Sequence, residues 1–246
     1  MYKRQAQRLA LSLFESPDAI GQRVARAAAR ESRGSPLLLE ELVRSNLAAA
    51  ASGQVTLTVL TVEQMVGERL ERLPPDAQRL LEIVAVGGRP LPVSVVVDAT
   101  GVYEGAQALV ELAVSGRFIR TGLRAGHETL EMSHDRVREV IVARISPSTL
   151  SGHHLRLARV LESTPGADLE ALAVHLHGAN LPERAATYAE RAAEQAAGKL
   201  AFDQAVRLYR LALEMTSGSA PDAQRLRARL AQVLEWACLL YTSRCV

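Results

Sequence analysis

The sequence predicts a mainly α-helical protein. Helices come first, a winged-helix module with a small β-hairpin follows, and an α-helical array of tetratricopeptide-like repeats ends the chain. Three observations predict this. Apolar residues recur at helical spacing through most of the chain. Two short extended runs, RFIRTGL and ETLEMSH, flank the turn sequence Arg-Ala-Gly, which is a hairpin signal. Late in the chain, Ala205, Tyr209 and Ala212 fall at the spacing of the second helix of a tetratricopeptide-type repeat.

Ala6 to Ala51 reads as helices. Ile20, Val24 and Ala28 share one face of the stretch Asp18–Gly34, with arginines elsewhere. Gly34 is a natural stop. Pro36 then sits in the first turn of the next helix, where its missing N–H does no harm. SGQVTLTVLT is a break of extended, β-branched character. The stretch from Thr61 to Leu73 is amphipathic, with Val62, Met65, Val66, Leu70 and Leu73 on one face. A further helix starts at the prolines before Asp76, and GGRPLP ends it. VSVVVDATG has strand propensity, but its helical neighbours favour a short helix. A helix over about Tyr103–Ser115 leads into the hairpin, and another follows His134. After Pro147 the chain returns to helices, and those after Leu181 come as pairs. Small residues let two helices approach closely, and the Tyr209 ring fills the gap that they leave. A solenoid repeat cannot bury its apolar face alone, so further repeats are expected beyond the last helix.

Both ends resemble adapter read-through. One coding of Met-Tyr-Lys-Arg-Gln has a reverse complement that encodes Cys-Leu-Leu-Tyr-Thr, the residues at 238–242. Residues 1–5 and 238–246 are therefore expected to be scars around an internal slice of a longer protein. The expected segments between them are 6–58, 59–146 (winged helix) and 147–237 (repeats). Cys238 and Cys245 both lie in the suspect tail, which leaves no disulfide framework and no cysteine-based zinc site. That fits a cytoplasmic setting. No apolar run approaches the length of a membrane span, so no membrane partner is expected. A net charge of +2 gives no large basic footprint.

Motifs for catalysis are missing. The chain holds no Gly-rich loop ending in Lys-Ser/Thr, no G-x-S-x-G elbow and no H-E-x-x-H. His175 and His177 lie two apart on one helix and do not share a face; His153 and His154 are adjacent and also diverge. Neither pair reads as a metal site. The expected major-groove helix carries Glu104 and Glu111 and no Lys or Arg, so the phosphates of a duplex would repel it. Nucleic acid is not expected as a partner.

RGSPLLLEELVR, LTVEQMVGERLERLPPDAQRLLEIVAVGGRPLP, MSHDRVREVIVARI and AFDQAVRLYRLALEM occur in a fixed order. In that order the chain resembles bacterial members of the signal-transducing ATPases with numerous domains, linked to protein kinases, nucleotide cyclases or transcription activators. The resemblance implies that 6–58 are lid helices of a truncated ATPase module. It implies that the parent protein is an ATPase using ATP or ADP with Mg, while this stretch has no cofactor and no catalytic residue of its own. It also implies an upstream ATP-binding domain of the same chain as one partner and a protein bound on the helical repeats as another.

Gly34-Ser35-Pro36 matches a Gly-x-Pro motif that packs on adenine in related proteins. His134 and Asp135 match a Met-His-Asp motif whose histidine meets the phosphate of ADP, although Ser133 replaces the Met. Gly34, Pro36 and His134 are thus the implied nucleotide contacts. The residues alone also fit a plain helix start at Pro36, and a cap by Ser133 or Asp135 with His134 merely packed. Two other functions remain open: a winged-helix DNA-binding transcription regulator, and a nucleotide-independent tetratricopeptide scaffold.

Overall fold

The computed structural model describes residues 2–13, 19–51, 60–216 and 220–243. The expected break at 52–59, Asp18 and Cys245 lie outside them. The described residues form thirteen helices and three short strands. They group into two compact units, one made of 1–90 and 105–144, the other of 91–104 and 145–246.

The first unit opens with α1 (Tyr2–Ser12), α2 (Ala19–Glu31) and α3 (Pro36–Ala51). Leu38, Leu39, Leu42 and Val43 of α3 are buried, as are Val24, Ala25 and Ala28 of α2. This is the i, i+3, i+4, i+7 pattern of a core-facing stripe. Two more helices follow, α4 (Val62–Glu71) and α5 (Pro75–Gly87). Thr61 and Gln64 form a reciprocal capping box at the start of α4, which meets two amides that the helix itself leaves unpaired. α5 is buried almost all round, from Leu80 and Leu81 to Ile83, Val84 and Ala85.

The second unit takes up the chain for one short piece. β1 (Leu91–Pro92) is two residues long and runs into α6 (Val93–Thr100). The β-branched run is therefore helical, with Val95, Val96 and Ala99 buried. Gly101, at φ +72°, ends it, and α6 belongs with the C-terminal helices.

Back in the first unit, α7 (Ala106–Ser115) leads to β2 (Ile119–Arg124) and β3 (His127–Met132). The helix expected from Tyr103 starts three residues later. Gly105 at φ +73° turns the chain into it, so Glu104 lies ahead of the helix. β2 and β3 pair antiparallel, from Ile119 opposite Met132 to Arg124 opposite His127. α8 (Asp135–Arg144) then buries Val137, Val140 and Ile141. Arg69 ties these parts together. It pairs with the nearly buried Glu41 at 3.2 Å, donates to the Gly116 carbonyl, and lies over the Phe118 ring at 4.8 Å.

The rest of the second unit is α9 (Pro147–Ser163), α10 (Leu169–Gly178), α11 (Pro182–Gly198), α12 (Phe202–Met215) and α13 (Ala220–Ser243). Ser146 caps α9 by accepting from the Thr149 amide at 3.2 Å. Asp168 caps α10 by accepting from the amides of Glu170 and Ala171. α11 buries a stripe of alanines that includes Ala185, Ala189, Ala193 and Ala196. α12 answers with Ala205, Leu208, Tyr209 and Ala212. Residues of both stripes share one core, which Leu226 and Val233 of α13 join.

The buried residues of α11 are all alanines, and Ala193 is fully buried among them. Ala193→Leu is expected to lower stability by about 1–3 kcal/mol, read from the urea midpoint. Thr187 is exposed on the same helix, and Thr187→Leu should stay within about 0.5 kcal/mol of the wild type.

Candidate functional site

The implied contacts lie at two helix starts of the first unit. Arg33 and Gly34 both take positive φ, +47° and +89°, and this turn reverses the chain between α2 and α3. A Cβ at Gly34 would meet no neighbour; the constraint there is the backbone angle, which L side chains rarely adopt. Ser35 occupies the cap position. Its hydroxyl oxygen accepts from the Leu38 amide at 3.3 Å, and its carbonyl accepts from the Leu39 amide at 3.0 Å. Pro36 is the first residue of α3, with its ring exposed.

The other start is that of α8. The Ser133 amide donates to the Phe118 carbonyl at 2.9 Å, which closes the hairpin just before His134. The His134 carbonyl accepts from the Arg138 amide at 3.1 Å. Its half-buried imidazole turns toward α3. Nδ1 lies 3.4 Å from the Ser35 hydroxyl, ninety-nine positions earlier in the chain. Nε2 is buried and meets no hydrogen-bond partner among the described residues.

Charged side chains rim this contact. Arg33 pairs with Glu139 at 3.6 Å. Arg136 pairs with Glu139 at 3.0 Å and also with Glu63. The hydrogen bond to Glu139 raises the Arg136 pKa further, and burial partly opposes it. The same bond holds the Glu139 carboxyl below its usual value. Both arginines are thereby engaged with carboxylates.

The structure thus brings Gly34, Pro36 and His134 into one neighbourhood, with Ser35 as the link. Sequence reasoning named Ser35 only as the middle of a motif. Its cap role was legible, because a serine before proline at a helix start is a capping pattern. Its partner was not, because nothing in the local pattern relates positions ninety-nine apart.

A histidine pair in the second unit was also missed. His154 of α9 and His175 of α10 set their Nδ1 atoms 3.0 Å apart, with ring centroids 5.2 Å apart. His175 is buried, as is His153. The His154 ring lies so close to Gly178 that a Cβ there would come within 2.5 Å of it. One histidine of each couple meets the other couple across the helix pair. No group of three or more possible metal ligands occurs among the described residues, and no described helix is long and apolar enough to cross a membrane.

Comparison with protein-family models gives no match. Comparison with curated proteins gives none either.

The histidine pair makes the second unit sensitive to acid. Burial, and then the charges that His153 and His177 would carry, hold the His154 pKa below its ordinary value. The fold therefore favours the neutral ring. That contribution is complete above about pH 6.5, the ordinary value, and is lost as pH falls through the lower folded value. A bond between two Nδ1 atoms also needs one of them unprotonated. Urea midpoints are expected to drop between about pH 7 and pH 5, and His154→Leu should flatten that slope.

Proposed function

We propose that this chain is the regulatory part of a nucleotide-switched signalling ATPase: lid helices, a winged helix, and the first tetratricopeptide-like repeats. The lid and winged helix would sense whether ATP or ADP occupies an upstream domain of the same chain. The repeats would offer a surface to a protein partner. The chain itself performs no catalysis, and it works in the cytoplasm as part of a parent ATPase, which is fused to a kinase or cyclase or acts on transcription.

One observation carries this reading. The histidine of the Ser-His-Asp motif meets the serine of the Gly-Ser-Pro motif, and its other ring nitrogen is buried with its hydrogen-bonding capacity unmet. Buried polar groups are nearly always paired, so such an atom fits a partner from outside the described residues. A nucleotide phosphate suits it, since it offers acceptor oxygens to an imidazole N–H. The exposed Pro36 ring, fixed at a helix start, offers an apolar surface for a purine. The fit has a condition: because Nε2 is covered, side chains around it must part before an oxyanion reaches it.

Magnitudes limit what His134 contributes. A hydrogen bond to a charged group is worth about 1.5–3 kcal/mol. Swinging a two-state equilibrium from mostly closed to mostly open takes about 5.5 kcal/mol. His134 would therefore supply part of the switch, and packing between domains the remainder.

Support for the DNA-binding reading is weaker. α7 has no Lys or Arg, and Gln107, its best base-reading side chain, is engaged by Glu111 at 3.1 Å.

Three outcomes are expected. The purified chain releases no phosphate from Mg-ATP above background and shows no salt-dependent binding of random duplex. The reading frame upstream contains G-x-x-x-x-G-K-[ST]. In the protein extended to include it, His134→Ala weakens ADP binding by about tenfold to a hundredfold, the equivalent of one charge-assisted hydrogen bond. Unchanged ADP affinity in both His134→Ala and Pro36→Ala would instead make the chain a nucleotide-independent scaffold.

A further inference from the structure

Resting on the nucleotide-sensing reading, we infer that Ser35 is a positioning residue for His134: it sets the tautomer in which Nε2 carries the proton. The inference comes from counting hydrogen-bond donors and acceptors. A serine hydroxyl has one proton to donate and two lone pairs. One lone pair of Ser35 accepts from the Leu38 amide. The hydroxyl's other contact is His134 Nδ1 at 3.4 Å.

Two neutral arrangements are possible. In the first, the Ser35 hydroxyl donates to Nδ1 and the imidazole proton sits on Nε2. Only the Nε2 proton then lacks a partner. In the second, Nδ1–H donates to the Ser35 oxygen. The hydroxyl proton then loses its one acceptor among the described residues, and Nε2 is left as an unpaired acceptor. The first arrangement leaves fewer groups without a partner among the described residues, and a lost partner costs more the less water reaches it. The tautomer of a histidine is set by the bond that its other nitrogen makes.

The consequence concerns direction. With its proton on Nε2, His134 is a donor at the atom that faces away from Ser35, which suits an oxyanion and opposes a cationic or purely donating ligand. Ser35 also caps α3, so the helix that carries Pro36 and the hydrogen-bonding sense of His134 are fixed by one hydroxyl. Displacing α3 from α8 would break the Ser35–His134 contact and leave the cap of α3 in place.

The test uses the chain as it is, labelled with ¹⁵N, with the ring nitrogens of His134 observed near pH 9, well above the ordinary imidazole value of about 6.5. The wild type and Ser35→Thr are expected to show a protonated Nε2. Ser35→Asp keeps a good helix cap, but its carboxylate only accepts, so the proton should move to Nδ1. A circular dichroism melt close to that of the wild type would show that α3 remains formed. If Nδ1 is protonated in the wild type, or if Ser35→Asp leaves the proton on Nε2, the assignment is wrong. ADP titration of the wild-type protein extended to include the upstream domain separates the two claims. Reversal in Ser35→Asp without any ADP-induced shift of the wild-type His134 resonances leaves the Ser35 assignment standing and removes the nucleotide reading.

Discussion

A buried imidazole has two nitrogens, and each needs a partner. This constraint governs the site around His134, because the described chain meets it only once. Nδ1 faces the Ser35 hydroxyl, while Nε2 is covered and unpaired. Folding alone gives no reason to retain such an atom, since an apolar side chain of similar shape would avoid the cost of an unmet polar group. The arrangement makes physical sense where the second partner comes from elsewhere, and that is the basis of the nucleotide-sensing proposal.

Around this contact the first unit joins distant parts of the chain through side chains. Arg69 reaches Glu41 on α3, the Gly116 carbonyl after α7, and the Phe118 ring at the start of the hairpin. Arg136 and Glu139 on α8 reach Glu63 on α4 and Arg33 before α3. The two networks differ in burial. Glu41 is almost fully covered and pairs with both Arg69 and Arg117, so losing these partners would strand a charge where water solvates it poorly. The Arg136 network is more open to water, so screening weakens it. The interior junction thus holds the unit together, and the outer one is the easier to rearrange.

The second unit is built on a different principle. Alanines of α11 and α12 share one core with Leu208 and Tyr209. Close approach leaves little slack, and the same closeness recurs where the His154 ring lies against Gly178. Burial there opposes a charge on His154 and holds its pKa below the ordinary value.

Much of the secondary structure was legible in the sequence. Periodicity located the stripes of α2, α4 and α12. Pro36 and Pro147 marked helix starts, and the turn at Arg-Ala-Gly marked the hairpin. Local chemistry is enough for these features, because caps, breakers and apolar spacing act over a few residues. Strand propensity gave way where tertiary packing outweighed it: the β-branched run at 93–100 is a helix because Val95, Val96 and Ala99 are buried in that form. Gly105, not the apolar pattern, set the start of α7. Gly34, Pro36 and His134 were named from motif resemblance, and the sequence determined their types and order. Only the tertiary structure decided that Ser35 meets His134 and that His154 meets His175. The reason is physical: a hydrogen bond between residues far apart in sequence depends on the packing of whole helices, and no local pattern encodes its distance.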